Sequence, residues 1–223
     1  MPKRPGIDAI VFDMDGLLLD TEPHAYRSWI LAAAEFGKGF PHPLFLRILG
    51  MNSAGIKPVL RETWGDDFPV DDYMVRASFH YHALLDAEAP DLKPGLCELL
   101  DQLDAWAMPR AVATSTRRPS ALKKLTRAGI LDRLGPVSCG CEVVHGKPAP
   151  DLYRLATKRL GLEPHRCLAL EDSPNGARAA LAAGLVTIVV PDQLQPPDDV
   201  RARARAVATS LHDVLAWLRS AEA

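Results

Sequence analysis

The chain has 223 residues, 48% apolar and 24% charged, with a formal net charge of −2. That length suits one domain carrying a substantial insertion, or one large domain, and the composition is that of a soluble globular protein. So small a net charge gives no electrostatic reason to expect nucleic acid or an anionic membrane as partner, which leaves a small molecule held by a local positive pocket.

The basic start MPKRPG leads into an apolar run that Asp13 and Asp15 break far short of a signal-peptide core. No segment approaches the ~18 consecutive apolar residues of a membrane span. A cytoplasmic protein is expected, and nothing demands more than a monomer. Ile7–Phe12 is β-branched and apolar on both faces, as buried parallel strands are. From Gly16 to Pro90 the pattern turns helical (His24–Phe36, Pro43–Leu49, Ala54–Trp64, Asp71–Leu85) with no convincing strand. That is far more than a crossover needs, so it reads as a helical insertion standing over a sheet. The Pro90–Pro94 region, with Lys93-Pro94-Gly95, marks the return to the core and a hinge.

Further strands are expected at Arg110–Ala113, Cys167–Leu170, Val186–Val190 and, more weakly, Ala206–Ala208 before a final helix from about His212 to Leu218. The helices between them are punctuated. Pro119 opens Ser120–Ala128 and Gly129 closes it; Gly161 ends Asp151–Leu160; Ser173-Pro174 caps Asn175–Ala183 and Gly184 stops it. Gln193–Asp199 reads as a polar, proline-rich loop. Strands alternating with such helices imply an α/β fold with a doubly wound, Rossmann-like parallel sheet. The expected division is a core of residues 1–18 and 91–223 and a helical cap of residues 19–90.

Of the four cysteines, Cys97 and Cys167 lie in apolar periodic segments and read as small buried hydrophobes. Cys139-Gly-Cys141 lacks a second pair at zinc-finger spacing and is given a structural role.

In open α/β sheets, ligands sit outside the carboxyl ends of the strands. Three apolar runs here finish in chemically capable residues: Asp13-Met14-Asp15-Gly16, Thr114, and Glu171-Asp172; Lys147 stands in a loop of its own before a helix. Taken singly, each has a plain reading. An Asp-x-Asp is most often a turn or a solvated pair, a Glu-Asp a surface or cap feature, Thr114 a strand-end cap, and Lys147 a solvated charge. Their conjunction, in order and each at the end of a run or in a proline-punctuated loop, outweighs those readings. Residues i and i+2 of extended backbone share a side, so Asp13 and Asp15 are expected to face one pocket. With Glu171 and Asp172 on a neighbouring strand, four carboxylates would converge and need a cation. Hard oxygen ligands without a His/Cys group favour magnesium over zinc.

The strings DMDGLLLDTE (Asp13–Glu22), AVAT ending in Thr114, GKPAPD (Gly146–Asp151) and LALEDSPNG (Leu168–Gly176) resemble the four signature motifs of the haloacid dehalogenase superfamily, in its branch of β-phosphoglucomutase-like phosphatases and mutases. The resemblance spans essentially the whole chain, cap included. It implies Asp13 as nucleophile and Asp15 as general acid/base. Thr114 and Lys147 would bind phosphate, with Ser115 and Arg117 in the loop beyond Thr114 as further contacts. Glu171 and Asp172 would be metal ligands beside Asp13 and the Asp15 backbone carbonyl. The reaction implied is magnesium-dependent hydrolysis of a small phosphomonoester through an aspartyl-phosphate. A carboxylate about 4 Å from a phosphate dianion meets repulsion on the order of 8 kcal/mol at an effective dielectric of roughly 20, so this chemistry needs such a collection of positive charge. Family members that dehalogenate lack the second aspartate and the metal, whereas this chain has Asp15 and Glu171-Asp172. Phosphonate hydrolysis would need a Schiff-base lysine in the cap, and neither Lys38 nor Lys57 has a recognisable context. A sugar-phosphate mutase is the alternative, though Arg76 falls where the mutases have a lysine. A non-catalytic binding protein is a second alternative, disfavoured by the intact acids.

Among the remaining residues, Thr21 is expected to cap the helix entered through Pro23. His24 corresponds to a histidine that in similar proteins reaches the substrate or Asp15. Arg47 and Arg76 are open as contacts to the rest of an anionic substrate. His80 and His82 read as solvated or helix-surface residues.

Overall fold

The structure is a computed structural model and describes residues 6–49, 51 and 53–220. The basic start, residues 1–5, lies outside them. The chain begins with strand β1 (Ala9–Phe12) and the two-residue strand β2 (Leu19–Asp20). Four helices follow: α1 (Glu22–Glu35), α2 (His42–Ile48), α3 (Ser53–Trp64) and α4 (Val70–Ala87). Then come β3 (Asp91–Leu92), α5 (Leu96–Ala105), β4 (Arg110–Thr114), α6 (Arg118–Arg127), β5 (Val137–Cys139) and α7 (Asp151–Leu160). The chain ends with β6 (Cys167–Glu171), α8 (Pro174–Ala183), β7 (Val186–Val189), α9 (Asp198–Arg201), β8 (Ala206–Val207) and α10 (Leu211–Arg219). Two compact units result, one of residues 1–20 and 91–223 and the other of Thr21–Pro90.

The larger unit is built on a six-stranded parallel sheet in the order β5-β4-β1-β6-β7-β8. Burial on both faces explains its aliphatic strands. Alternation then sorts side chains by size. Ile10, Phe12, Val112, Leu168 and Leu170 face α5, α6 and α10. Ala9, Val11, Ala111, Ala113 and Ala169 face α7 and the alanine-rich α8, whose Ala179, Ala180 and Ala183 pack among them. Burying this apolar surface at ~25 cal/mol per Å² is the main stabilising contribution. Winding runs outward from β1 through β4 to β5, then restarts on the other side of β1 at β6. A crevice therefore opens at the carboxyl ends of β1, β4 and β6.

The unit Thr21–Pro90 has its own core. Tyr73 is fully buried at its centre, ringed by Trp29, Phe36, Phe40, Trp64 and Phe68 at centroid distances of 5.0–6.5 Å. Its hydroxyl donates to the Trp29 carbonyl at 3.0 Å, the partner that a buried phenol requires.

Several sequence expectations need correcting. β5 is a sixth strand, β2 and β3 pair as a short antiparallel ribbon, and the proline-rich loop contains the one-turn α9. Cys97 is exposed, because the buried stripe of α5 is Leu96, Leu99, Leu100 and Leu103 and position 97 falls off it. Thr21 stands at the N-cap of α1 but makes no side-chain cap bond; its backbone is already helical there (φ −91, ψ −10), which turns the hydroxyl away from the first turn. His80 is a surface residue of α4, and its ring lies 2.6 Å from Glu35, which also receives Arg76. The four cysteines are free thiols. Among the described residues, no helix is long and apolar enough to cross a membrane.

Candidate active site

Register sets the site. Phe12 pairs with Val112 on β4 and Leu170 on β6, so the residues that follow each strand emerge at one level. Asp13 donates its backbone N–H to the Leu170 carbonyl at 3.0 Å, fixing it beside Glu171. Asp13, Glu171 and Asp172 each offer a carboxylate oxygen within 4.8 Å of the others. Lys147 arrives from the loop before α7, its side chain 6% exposed, and donates to both Asp13 and Glu171.

Glu171 is completely buried and tied on every side. Its Oε1 accepts from Lys147 and from the Tyr153 hydroxyl at 2.7 Å, and its Oε2 accepts from the backbone and hydroxyl of Ser173 at 3.2 and 3.1 Å. Ser173 in turn caps α8 by accepting from the Gly176 N–H at 3.1 Å. A Cβ on Gly176 would lie 1.8–2.2 Å from the Glu171 carboxylate. Gly176→Ala is therefore expected to evict Glu171 and to cost about 1–3 kcal/mol, the usual penalty of overpacking, together with most of any activity. Thermal melts and turnover check this; an unchanged melting temperature would contradict it.

Three carboxylates share one ammonium, and titration reflects it. Burial pushes the Asp13 carboxyl up to about 7, against the pull of Lys147, with Glu171 adding to the rise. Asp172 is raised well above the usual carboxylate range by burial and then by Asp13 and Glu171. Burial works to lower the Lys147 ammonium, but Asp13 and Glu171 outweigh it and hold the pKa above its ordinary value. The surplus of negative charge, all on oxygen, is what a hard divalent cation neutralises, so the donor set fits such an ion.

Asp15 departs from expectation. Its side chain does not join the carboxylate cluster; Lys124 donates to its Oδ1 at 2.6 Å and Thr116 to its Oδ2 at 2.7 Å. Three acids converge, not four, because the chain turns at Asp15, which bridges to Leu19, and the i, i+2 rule of extended backbone ceases to apply. Lys124 went unnoticed in the sequence, where Lys123 and Arg127 surround it, yet its side chain is only 5% exposed. The available signal was its spacing from Ala121, the residue one turn earlier on the buried face of α6. Tyr153 was likewise indistinguishable from core.

Thr114 is buried at the end of β4, and its hydroxyl accepts the Thr116 N–H at 3.1 Å. Ser115 and Arg117 follow in the exposed loop. His24 belongs to the other unit, where both its ring nitrogens are buried without a hydrogen-bond partner and Glu88 stands 3.8 Å from Nε2. Arg47 is paired with Glu62 at 2.6 Å and Arg76 with Glu35 at 2.5 Å, so each has its charge met within the helical unit.

A model of the haloacid dehalogenase-like hydrolase family matches residues 7–184. The chain belongs to that family. Among its relatives is the phosphorylated carbohydrates phosphatase of Thermotoga maritima, 31% identical over 182 residues that cover 82% of this chain and 84% of that protein. The plasmid-encoded CbbY protein of Cupriavidus necator is 34% identical over 209 residues, covering 86% of this chain and 81% of its own. A solved structure, CbbY of Rhodobacter sphaeroides in complex with phosphate, superposes with a TM-score of 0.77 at 30% identity, covering 96% of this chain and all of that one.

Proposed function

We propose that the chain is a magnesium-dependent phosphatase of small phosphorylated metabolites that works through an aspartyl-phosphate on Asp13. The observation that carries this reading is the meeting of Asp13, Asp172 and Glu171 within 4.8 Å, with the buried Lys147 paired to Asp13 and Glu171. Relatives named as phosphatases support it. In this reading an Asp13 oxygen attacks phosphorus as the ester oxygen leaves, and Asp15 gives that oxygen its proton. Asp15 then takes a proton from the water that cleaves the acyl phosphate, regenerating the Asp13 carboxylate. Lys147 and the Thr114 hydroxyl hold the transferred phosphoryl group, with Ser115 and Arg117 as outer contacts. Magnesium would be held by Asp13, Asp172 and the Asp15 backbone carbonyl. Glu171, whose oxygens already accept four hydrogen bonds, is less free to ligate and serves more as a fixed charge behind Lys147. When bound, the ion supplies positive charge that offsets repulsion between Asp13 and the phosphate. His24, in the unit Thr21–Pro90, is a further candidate for substrate contact.

A phosphate-release screen over a panel of metabolites, with and without magnesium, tests the proposal. Release that needs magnesium is expected; none from any phosphomonoester would leave a binding protein on this scaffold. Conversion of β-glucose 1-phosphate to glucose 6-phosphate that depends on glucose 1,6-bisphosphate would favour the mutase instead.

Lys124 and Thr116 fix the orientation of Asp15, so this pair is expected to show in turnover and not in binding. Lys124→Met should lower kcat by about 10- to 100-fold, at or below the bottom of the range for losing a general acid/base outright because Asp15 itself remains, with KM little changed. Lys124→Arg should recover most of the loss. Steady-state kinetics with p-nitrophenyl phosphate reads both, and an effect on KM alone would assign Lys124 to substrate binding.

A further inference from the structure

Asp192 lies just past β7, at the same carboxyl edge as Asp13 and Asp172, on a segment tied to β6 by the Val190 N–H donating to the Glu171 carbonyl at 2.7 Å. Its side chain is 10% exposed and its two oxygens differ in their surroundings. Oδ1 accepts from Lys93 at 2.9 Å and from Gln193 at 3.4 Å. Oδ2 is buried and has no hydrogen-bond partner. That oxygen lies 3.5 Å from where a Cβ on Gly16 would stand, and Asp172 Oδ2 lies 2.4 Å from the same point. The two carboxylates thus approach each other over the bare Cα of Gly16, the residue directly after Asp15.

Buried polar atoms are almost always paired, and a native orphan calls for a water or an ion. A carboxylate oxygen only accepts, so its missing partner is a donor or a cation. Lys93 does not fill that role, because its ammonium is already at Oδ1 and also stands 3.7 Å from Asp20. Magnesium keeps several of its waters when protein-bound, and the groups that receive those waters commonly tune affinity.

We propose that Asp192 is an outer-sphere anchor for the divalent cation, reaching it through hydration water, and that Lys93 is the counter-charge that tempers the negative potential there. This rests on the reading of Asp13 and Asp172 as the cation's direct ligands. The two members of the pair should then act in opposite directions. Asp192→Ala removes the acceptor and a negative charge and weakens binding; Lys93→Met removes an opposing positive charge and leaves the acceptor in place.

The test is calorimetric titration of the full chain with magnesium chloride, without substrate, each variant first shown to melt cooperatively in EDTA. Asp192→Ala is expected to weaken magnesium binding about tenfold, while Lys93→Met binds at least as tightly as the parent. Should Asp192→Ala not fold, Asp192→Asn keeps the shape and is expected to weaken binding about threefold, between parent and loss of the acceptor. Affinity of the folded Asp192 variant within twofold of the parent overturns the inference. So does weakening by Lys93→Met as large as that by Asp192→Ala, which would make the pair a loop brace. If the parent itself takes up no magnesium, the direct-ligand reading falls and this one with it. If the parent binds magnesium and Asp13→Asn abolishes turnover while Asp192→Ala binds normally, only the outer-sphere role is lost.

Discussion

Asp13→Asn is expected to lower kcat by at least about a thousandfold, because an amide oxygen is a poor nucleophile and the residual rate would come from charge stabilisation alone. Phosphate release under saturating magnesium checks this, and a rate within tenfold of the parent would remove Asp13 from the nucleophile role. The same substitution carries a stability signature of the opposite sign from most active-site damage. With its carboxyl pushed from 3.8 to about 7, chiefly by burial, Asp13 in the folded, metal-free protein keeps a proton that the unfolded chain has released. Where the native state binds more protons, stability falls as pH rises, here between about pH 4 and 7. Asparagine has no such proton. In EDTA near pH 8 the variant should therefore melt no lower than the parent, and its stability should fall less between pH 4 and 7. Melts in EDTA across that range decide the matter; a variant markedly less stable than the parent at pH 8 would mean that the Lys147 contact outweighs the burial of charge.

How far sequence alone reached depends on which physical signal each element leaves. β1, β4, β6 and β7 are aliphatic on both faces because helices cover the sheet on both sides, and that signal survives without coordinates. β5 is three residues long between Pro136 and Gly140, too short for periodicity to show, and its strand character comes from pairing with β4. The one-turn α9 is set by Pro197 at its N-cap and two aspartates in its first turn, within a composition that otherwise reads as loop. In the site, Asp13, Glu171, Asp172 and Lys147 were legible because each follows a strand or a marked loop. Lys124, Tyr153 and Asp192 were not. Their significance comes from what they touch across more than a hundred residues of chain for Lys124 and Asp15, from α7 to β6 for Tyr153, and across the Gly16 turn for Asp192. Asp15 shows the same limit from the other side. Its identity was readable, but its side-chain direction depends on a turn that no strand rule describes.

Lys147→Met supplies the complementary result. The substitution keeps the apolar stem and removes the ammonium that lies between Asp13 and Glu171 and 5.1 Å from the centre of the Tyr153 ring. Glu171 is then a fully buried carboxylate with no cation, held only by the hydroxyl and amide donors of Tyr153 and Ser173. Removing one partner of a buried ion pair typically costs about 3–5 kcal/mol, and a loss of that order is expected in EDTA near pH 8. The loss should shrink toward pH 5, since Asp13 and Asp172, already raised by burial, take up protons and relieve the repulsion. Magnesium should restore much of it as well, because ligand at 100 times its dissociation constant adds about 2.7 kcal/mol. Turnover should stay low even then, by about 100-fold or more, since no ammonium remains to meet the transferred phosphoryl group. Asp13→Asn in the same background should recover part of the lost stability in EDTA, a coupling that only residues sharing one charge cluster produce. Equal melting temperatures for Lys147→Met and the parent in EDTA at pH 8 would mean that the ammonium is not what balances these acids.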